Sequence, residues 1–224
     1  MHKFEYGALN KNSEQTSGPE ELESDFRRAA LTERGLFTKK DGKIGYFDAL
    51  EISANDLNDP NFFILDLGAG MKQEFAKEVK EMGLKSKIVS VDPRLGLSEQ
   101  EDLSLLKEPD RKQKRLEGRK NAQPMSVAGI SEALPFKENS FDKIYALYSV
   151  PYYLKNPQEI QNTLQEMIRT LKSGGTIKAF PVLKEQIKIV GNYLDGLPDI
   201  EFSLVLKKKY NEYDEEWLIE IKKK

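Results

Sequence analysis

The sequence predicts an α/β protein in which a mostly parallel, doubly wound sheet is covered by helices on both faces. Three observations carry that prediction. Apolar runs of strand length alternate with helical patterns between residues 61 and 195, the way parallel strands are connected in two-faced sheets. The first run, Asn61-Phe62-Phe63-Ile64-Leu65-Asp66-Leu67, ends in Gly68-Ala69-Gly70 and passes directly into a helical pattern. The second, Lys87 to Val91, closes on Asp92, about 20 residues past the glycines, where dinucleotide folds place a ribose-binding acid.

Taken in order, residues 1–17 are polar and aperiodic and read as a flexible arm. Ser17-Gly18-Pro19-Glu20 starts a helix over about 19–33, with Leu22, Phe26, Ala29 and Ala30 on one face. Residues 36–60 read as irregular, with turns at Lys40-Asp41-Gly42-Lys43 and Asn58-Asp59-Pro60. The expected division is an arm plus helical cap over 1–57 and the main domain over 58–224.

Within that domain Met71, Phe75, Val79 and Met82 mark a helix over about 71–83, and 86–92 is the next strand. Residues 95–123 are crowded with charge, including Arg111, Lys112, Lys114, Arg115, Arg119 and Lys120. They read as a helix plus a solvated insertion, because connections in such folds are usually short. A weak strand at 125–129 and a strong one at 141–148 follow. Asn156-Pro157-Gln158-Glu159 opens a helix with Ile160, Leu164, Met167, Ile168 and Leu171 on its apolar stripe. Gly174-Gly175 is expected to end it. Strand 176–181, a helix over 183–195, and two alternating strands, 200–206 and 216–221, paired through a turn near Asn211-Glu212, complete the chain.

The totals exclude several chemistries. There is no cysteine, and the single histidine is His2, so disulfides, thiolate or histidine metal sites and a histidine base are not expected. A net charge of −2 and a pI near 5.7 give no global pull toward nucleic acid or anionic membrane. No signal peptide or 18-residue apolar run is visible, so the protein is expected to be soluble and cytoplasmic. The glycine turn lacks the third glycine of phosphate-binding dinucleotide folds, since Met71 and Lys72 follow Gly70. That weighs against NAD, and no Walker pattern is present.

Four segments resemble class I S-adenosylmethionine-dependent methyltransferases, in particular the ubiquinone/menaquinone-methyltransferase-like, type 11 branch. Leu65-Asp66-Leu67-Gly68-Ala69-Gly70 resembles the loop that cradles the methionine part of the cofactor. Val91-Asp92 resembles the acidic strand end that holds the ribose. Glu132-Ala133-Leu134-Pro135-Phe136 with Asn139-Ser140-Phe141-Asp142 resembles the approach to the fourth strand, and Leu171-Lys172-Ser173-Gly174-Gly175 the approach to the fifth. The resemblance spans about 61–182. It implies a Rossmann-like seven-stranded sheet with an antiparallel last strand, and S-adenosyl-L-methionine as cofactor.

The chemistry of that cofactor agrees with these residue types. A ribose diol needs a bidentate acceptor, which Asp92 supplies. The amino-acid end needs close backbone approach, which Gly68 and Gly70 allow. The implied cofactor-binding set is Asp66, Gly68, Ala69, Gly70, Asp92 and Pro93, with Ile130, Ser131 and Leu147 around the adenine. Ile130 stands where the branch often has an acid or asparagine, so adenine would be held by packing and by backbone groups near Ser131 or Glu132. Asp66 reads equally as a structural acid tying the glycine loop or as a water-mediated partner of the cofactor amine. Tyr152-Tyr153 replaces a His-His pair, so no catalytic residue carries over; Tyr148, Tyr152 and Tyr153 are candidates for orienting the acceptor. Together with Tyr46 and Phe47 they read either as an aromatic lid or as core.

The expected function is methyl transfer by direct displacement to an oxygen, nitrogen or carbon atom of a small molecule. Two other readings share these residues. One is a methyltransferase-like scaffold that binds cofactor, or nothing, without turnover. The other is a base-amino methyltransferase of nucleic acid, suggested by Ser149-Val150-Pro151-Tyr152 but weakened by valine in place of a proline.

Overall fold

The computed structural model describes residues 34–40, 42–96, 125–209 and 215–224. The arm at 1–17, the helix expected over 19–33, the basic cluster at 111–120 and the turn near Asn211-Glu212 lie outside these residues. In chain order the described elements are helix α1 (Tyr46–Leu50), a 3-10 turn (Ala54–Leu57), β1 (Phe63–Leu67), α2 (Glu74–Glu81), β2 (Lys87–Val91) and a second 3-10 turn (Pro93–Gly96). Then come β3 (Ser126–Val127), β4 (Phe141–Leu147), α3 (Pro157–Thr170), β5 (Leu171–Leu183), α4 (Lys184–Asp195), β6 (Ile200–Lys209) and β7 (Glu215–Lys223).

The seven strands form one sheet in the order β3-β2-β1-β4-β5-β7-β6. Strand β1 lies parallel to β2, with Leu65 beside Val89, and parallel to β4, with Leu65 beside Ile144. Strand β4 is parallel to β5, and β7 runs antiparallel to both β5 and β6. The expected mostly parallel sheet with an antiparallel last strand is therefore present.

Strand alternation distributes the core over two faces. Leu65, Ile144, Ala146, Ile177 and Ile219 pack with Ile160, Leu164 and Met167 of α3 and Val190 and Leu194 of α4. Their strand neighbours Ile64, Tyr145, Leu147, Phe180 and Leu218 face the other way, onto Phe75 and Val79 of α2, Leu50 of α1, and Leu36 and Leu57. Asp66, two residues beyond Ile64, is on this second side, where Tyr46 reaches it. That parity decides its environment.

Several elements differ from the sequence expectation. Segment 36–60 is not irregular throughout, since Tyr46, Ala49 and Leu50 are buried on a short helix. A five-residue helix is too short to show a period. Helix α2 begins at Glu74, because Met71 and Lys72 belong to the glycine turn and Gln73 takes a left-handed φ of 50° before the first helical residue. Strand β3 shrinks to two residues. Helix α3 has the expected cap, with Gln158 N–H donating to the Asn156 side chain at 2.9 Å, but it ends at Thr170 and not at Gly174-Gly175. The Thr170 hydroxyl donates back to the Glu166 carbonyl at 2.8 Å. The glycines lie inside β5, next to an irregularity in its pairing with β4. A Cβ on Gly175 would meet the Asp142 carbonyl at 2.9 Å, so this is a close-packed bulge and not a helix cap.

Candidate functional site

The sheet reverses its order of connection between β1 and β4, and a crevice opens at the carboxyl ends of the strands there, as the geometry of such sheets requires. A cavity of about 270 Å³ occupies it. Its wall is built from the turn after β1 (Leu67 to Gly70), the turn after β2 (Asp92 to Arg94), the loop after β3 (Gly129 to Glu132) and the segment after β4. Arg34 and Tyr46 close it from the N-terminal side.

The glycine turn is fixed from both sides. The N–H groups of Gly68 and Ala69 donate to the Val91 carbonyl at 2.8 and 3.0 Å, and Gly70 N–H donates to Asp92 Oδ2 at 3.0 Å. Gly68 has a φ of 82°, and a Cβ there would fall 2.2 Å from the Ser149 Cβ. Ser149 cannot easily yield, because its hydroxyl donates to the Leu67 carbonyl at 2.6 Å. Glycine is thus required by close approach of β4 as well as by backbone conformation.

Asp92 is 3% exposed and Arg94 8%. The Arg94 side chain grips the carboxylate from Nε to Oδ1 at 2.7 Å and from Nη2 to Oδ2 at 2.8 Å, while its own N–H reaches Oδ1 at 3.0 Å. With Gly70, these fill the four acceptor positions of the carboxylate. Burial opposes ionisation of Asp92, but the bonds and charge of Arg94 and the two backbone N–H groups outweigh it and hold the carboxyl below its ordinary range.

Asp66 is fully buried beneath the turn and is not part of the cavity wall. The Tyr46 hydroxyl donates to its Oδ1 at 2.5 Å, Oδ2 has no hydrogen-bond partner, and the Tyr46 ring stacks on Phe75 at 4.2 Å. Burial pushes the Asp66 carboxyl up to about 7, the Tyr46 hydrogen bond opposes that rise, and the Asp92 charge adds to it. A carboxyl raised in the folded state binds its proton where the unfolded chain has lost it. Its contribution to stability is therefore complete below about pH 4 and is lost as pH rises through about 7. Asp66→Asn is expected to remove a decline on the order of 3–4 kcal/mol between those limits, measured by urea unfolding at a series of pH values. An unchanged pH profile would contradict this ionisation behaviour.

Of the remaining sequence candidates, Ala69, Pro93, Ile130, Ser131 and Leu147 all line the cavity. Ile130 is 52% exposed, whereas the Ser131 side chain turns away, donating to Glu132 at 2.7 Å and accepting from Thr163 at 3.0 Å. Tyr148 and Tyr153 are on the wall and Tyr152 is not; Tyr152 packs edge-on between them, with centroids 5.6 and 4.7 Å away. Tyr148 adopts a left-handed φ of 47°, a strained conformation for an aromatic residue, and its N–H donates to the Phe180 carbonyl at 2.7 Å. Tyr46 belongs to both the cavity wall and the core. Phe47 packs against Phe37 and is absent from the wall.

Sequence reasoning missed Arg34, Arg94 and the anchoring role of Ser149. Arg34 is placed by tertiary contacts. The carbonyl of Gly35 accepts the Tyr46 N–H at 3.0 Å, and Leu36 N–H donates to Glu78 of α2 at 2.6 Å. No local pattern announces such a residue.

Among the described residues no group of histidine, cysteine, aspartate or glutamate is arranged to hold a metal, and no helix is long and apolar enough to cross a membrane.

Comparison with known proteins adds the family. A putative S-adenosyl-L-methionine-dependent methyltransferase from Methanococcus maripaludis is 14% identical, with 97% of each chain covered and a TM-score of 0.50; this likeness concerns the fold. A S-adenosylmethionine-dependent methyltransferase from Methanosarcina mazei is 12% identical over 75% of this chain and 93% of its own, with a TM-score of 0.47. The N-methyltransferase NodS from Bradyrhizobium japonicum is 15% identical over 71% and 84%, with a TM-score of 0.44. No match is found among curated proteins. The sequence profile of the ubiE/COQ5 methyltransferase family matches residues 51–219, three quarters of the chain and every element from the end of α1 into β7. The chain belongs to the ubiE/COQ5 methyltransferase family and is an S-adenosylmethionine-dependent methyltransferase.

Proposed function

We propose that the protein methylates an oxygen, nitrogen or carbon atom of a small molecule, with the cofactor lying across the carboxyl ends of β2, β1 and β4. The observation that carries the placement is Asp92. An ionised carboxylate at a strand end presents both oxygens to a bidentate donor, at present the Arg94 guanidinium. A ribose diol is also a bidentate donor and would take those two positions, with the Arg94 side chain moving aside and Gly70 N–H retained. The residues therefore suit the cofactor, provided Arg94 gives way.

When bound, S-adenosylmethionine supplies a methyl group activated by its sulfonium charge. The protein's part is to bind, align and exclude water. Gly68, Ala69 and Gly70 admit the amino-acid portion close to the backbone. Pro93, Ile130 and Leu147 offer an apolar surface for adenine, and the backbone at Ser131 the polar contacts. Asp66, with one unpartnered oxygen below the turn, favours positive charge above it. Tyr148 and Tyr153 face the space left for the acceptor and would orient it. Alignment of this kind can lower a displacement barrier by several kcal/mol without a strong base.

Ser149 supports a small-molecule acceptor over a nucleobase. In the base-amino reading its side chain would meet the target amine, but here it is 7% exposed and committed to the Leu67 carbonyl. Incubation with methyl-labelled cofactor should transfer label to members of a panel of phenols, amines and carbon acids, and leave RNA and DNA unlabelled. Label found on nucleic acid would overturn the acceptor class.

A further inference from the structure

Four acids lie at, under or beside the cavity, and each has a polar partner within the protein. Asp92 is held by Arg94 and Gly70, Asp66 by Tyr46, and Glu132 by Ser131. The fourth, Glu216, accepts from the Tyr148 hydroxyl at 3.4 Å. None of the four pairs with Arg34. Arg34 lines the cavity with its guanidinium 4.3 Å over the centre of the Tyr148 ring, and its Nε is buried without a hydrogen-bond partner.

Stacking on a ring engages the face of a guanidinium and leaves its N–H edge for an acceptor. The position is also held. Leu36, two residues on, is fully buried, and the backbone of 35–36 is bonded to α1 and α2. A single planar cation with an unsatisfied Nε–H suits one planar anion of single charge, because a carboxylate accepts two parallel N–H bonds from a guanidinium. A phosphate would call for several converging donors.

We propose that Arg34, stacked on Tyr148, is the anchor of a carboxylate subsite in this cavity. The proposal rests on the cofactor placement given above. Two sources offer the group: the amino-acid end of the cofactor, or a carboxylate borne by the methyl acceptor beside Tyr148 and Tyr153.

Calorimetry on the full chain tests this with S-adenosylmethionine, its decarboxylated analogue, and benzoate added to protein saturated with S-adenosylhomocysteine. Each is measured on the unaltered protein, Arg34→Gln and Arg34→Lys, with melting temperatures recorded for all three. If the cofactor provides the carboxylate, Arg34→Gln weakens S-adenosylmethionine about tenfold to a hundredfold and leaves the decarboxylated analogue unchanged. If the acceptor provides it, both cofactor forms bind the variant normally, and benzoate binding is lost. In either case Arg34→Lys, which keeps the charge without the fork, retains part of the affinity. Equal weakening of both cofactor forms, or no change in any ligand, would overturn the carboxylate subsite. Failure of the unaltered protein to bind S-adenosylmethionine would instead overturn the cofactor placement, and this proposal with it.

Discussion

Asp92→Ala is expected to abolish binding of S-adenosylmethionine and to destabilise the ligand-free protein by about 3 kcal/mol. Both effects have one origin. The carboxylate takes both Nε and Nη2 of Arg94, and it also accepts Gly70 N–H. Removing it takes a bidentate, charged partner from a largely buried cation and frees the glycine turn. The pH signature runs opposite to that of Asp66. A carboxyl held low in the folded state stabilises above its unfolded value and loses that contribution as pH falls below about 4. The acid limb of the stability profile should therefore be shallower in Asp92→Ala, as read by urea unfolding between pH 3 and pH 7. Asp92→Asn, which retains one acceptor but no charge, should fall between the two. A variant as stable as the parent would show that Arg94 needs no such partner.

Gly68→Ala is the second large effect. The added methyl would sit 2.2 Å from the Ser149 Cβ at a φ of 82°, so left-handed strain and overpacking add to about 2–5 kcal/mol. Relief by moving Ser149 would break its bond to the Leu67 carbonyl. Gly83→Ala is the control. It has a similar φ of 69° but nothing within 4 Å of the added atom, and should cost only about 1–2 kcal/mol. The difference between the two, read by denaturant unfolding, isolates the close approach of β1 and β4 from the backbone conformation. Equal losses would mean that the contact with Ser149 is not what demands glycine. Gly68→Ala should also lose cofactor binding, since the turn would be displaced from the cavity wall.

The frame of the fold was legible because its signals are local. An apolar run ending in glycines, an acid closing the next run, and a capped helix at Asn156 each declare themselves within a few residues. Gly174-Gly175 misled for the same reason. Paired glycines after an amphipathic stretch resemble a helix end, whereas here they serve a bulge whose need arises from Asp142 and Leu171 across the sheet. The candidate site was legible where strand ends form the cavity wall: Gly68, Gly70 and Asp92 are brought there by topology. Asp66 was ambiguous until strand parity set it beneath Tyr46, 20 residues earlier in the chain. Arg34 and Ser149 gain their roles from packing between distant segments. Arg94 lies only two residues past Asp92, but no spacing rule reveals that its side chain folds back.

The central claim is that the cofactor is held at the Asp92 carboxylate beside the glycine turn. Isothermal titration of S-adenosylmethionine into the unaltered chain and into Asp92→Ala tests it most directly. The account predicts saturable binding at one site per chain that disappears in the variant. Equal affinity in both proteins would contradict it.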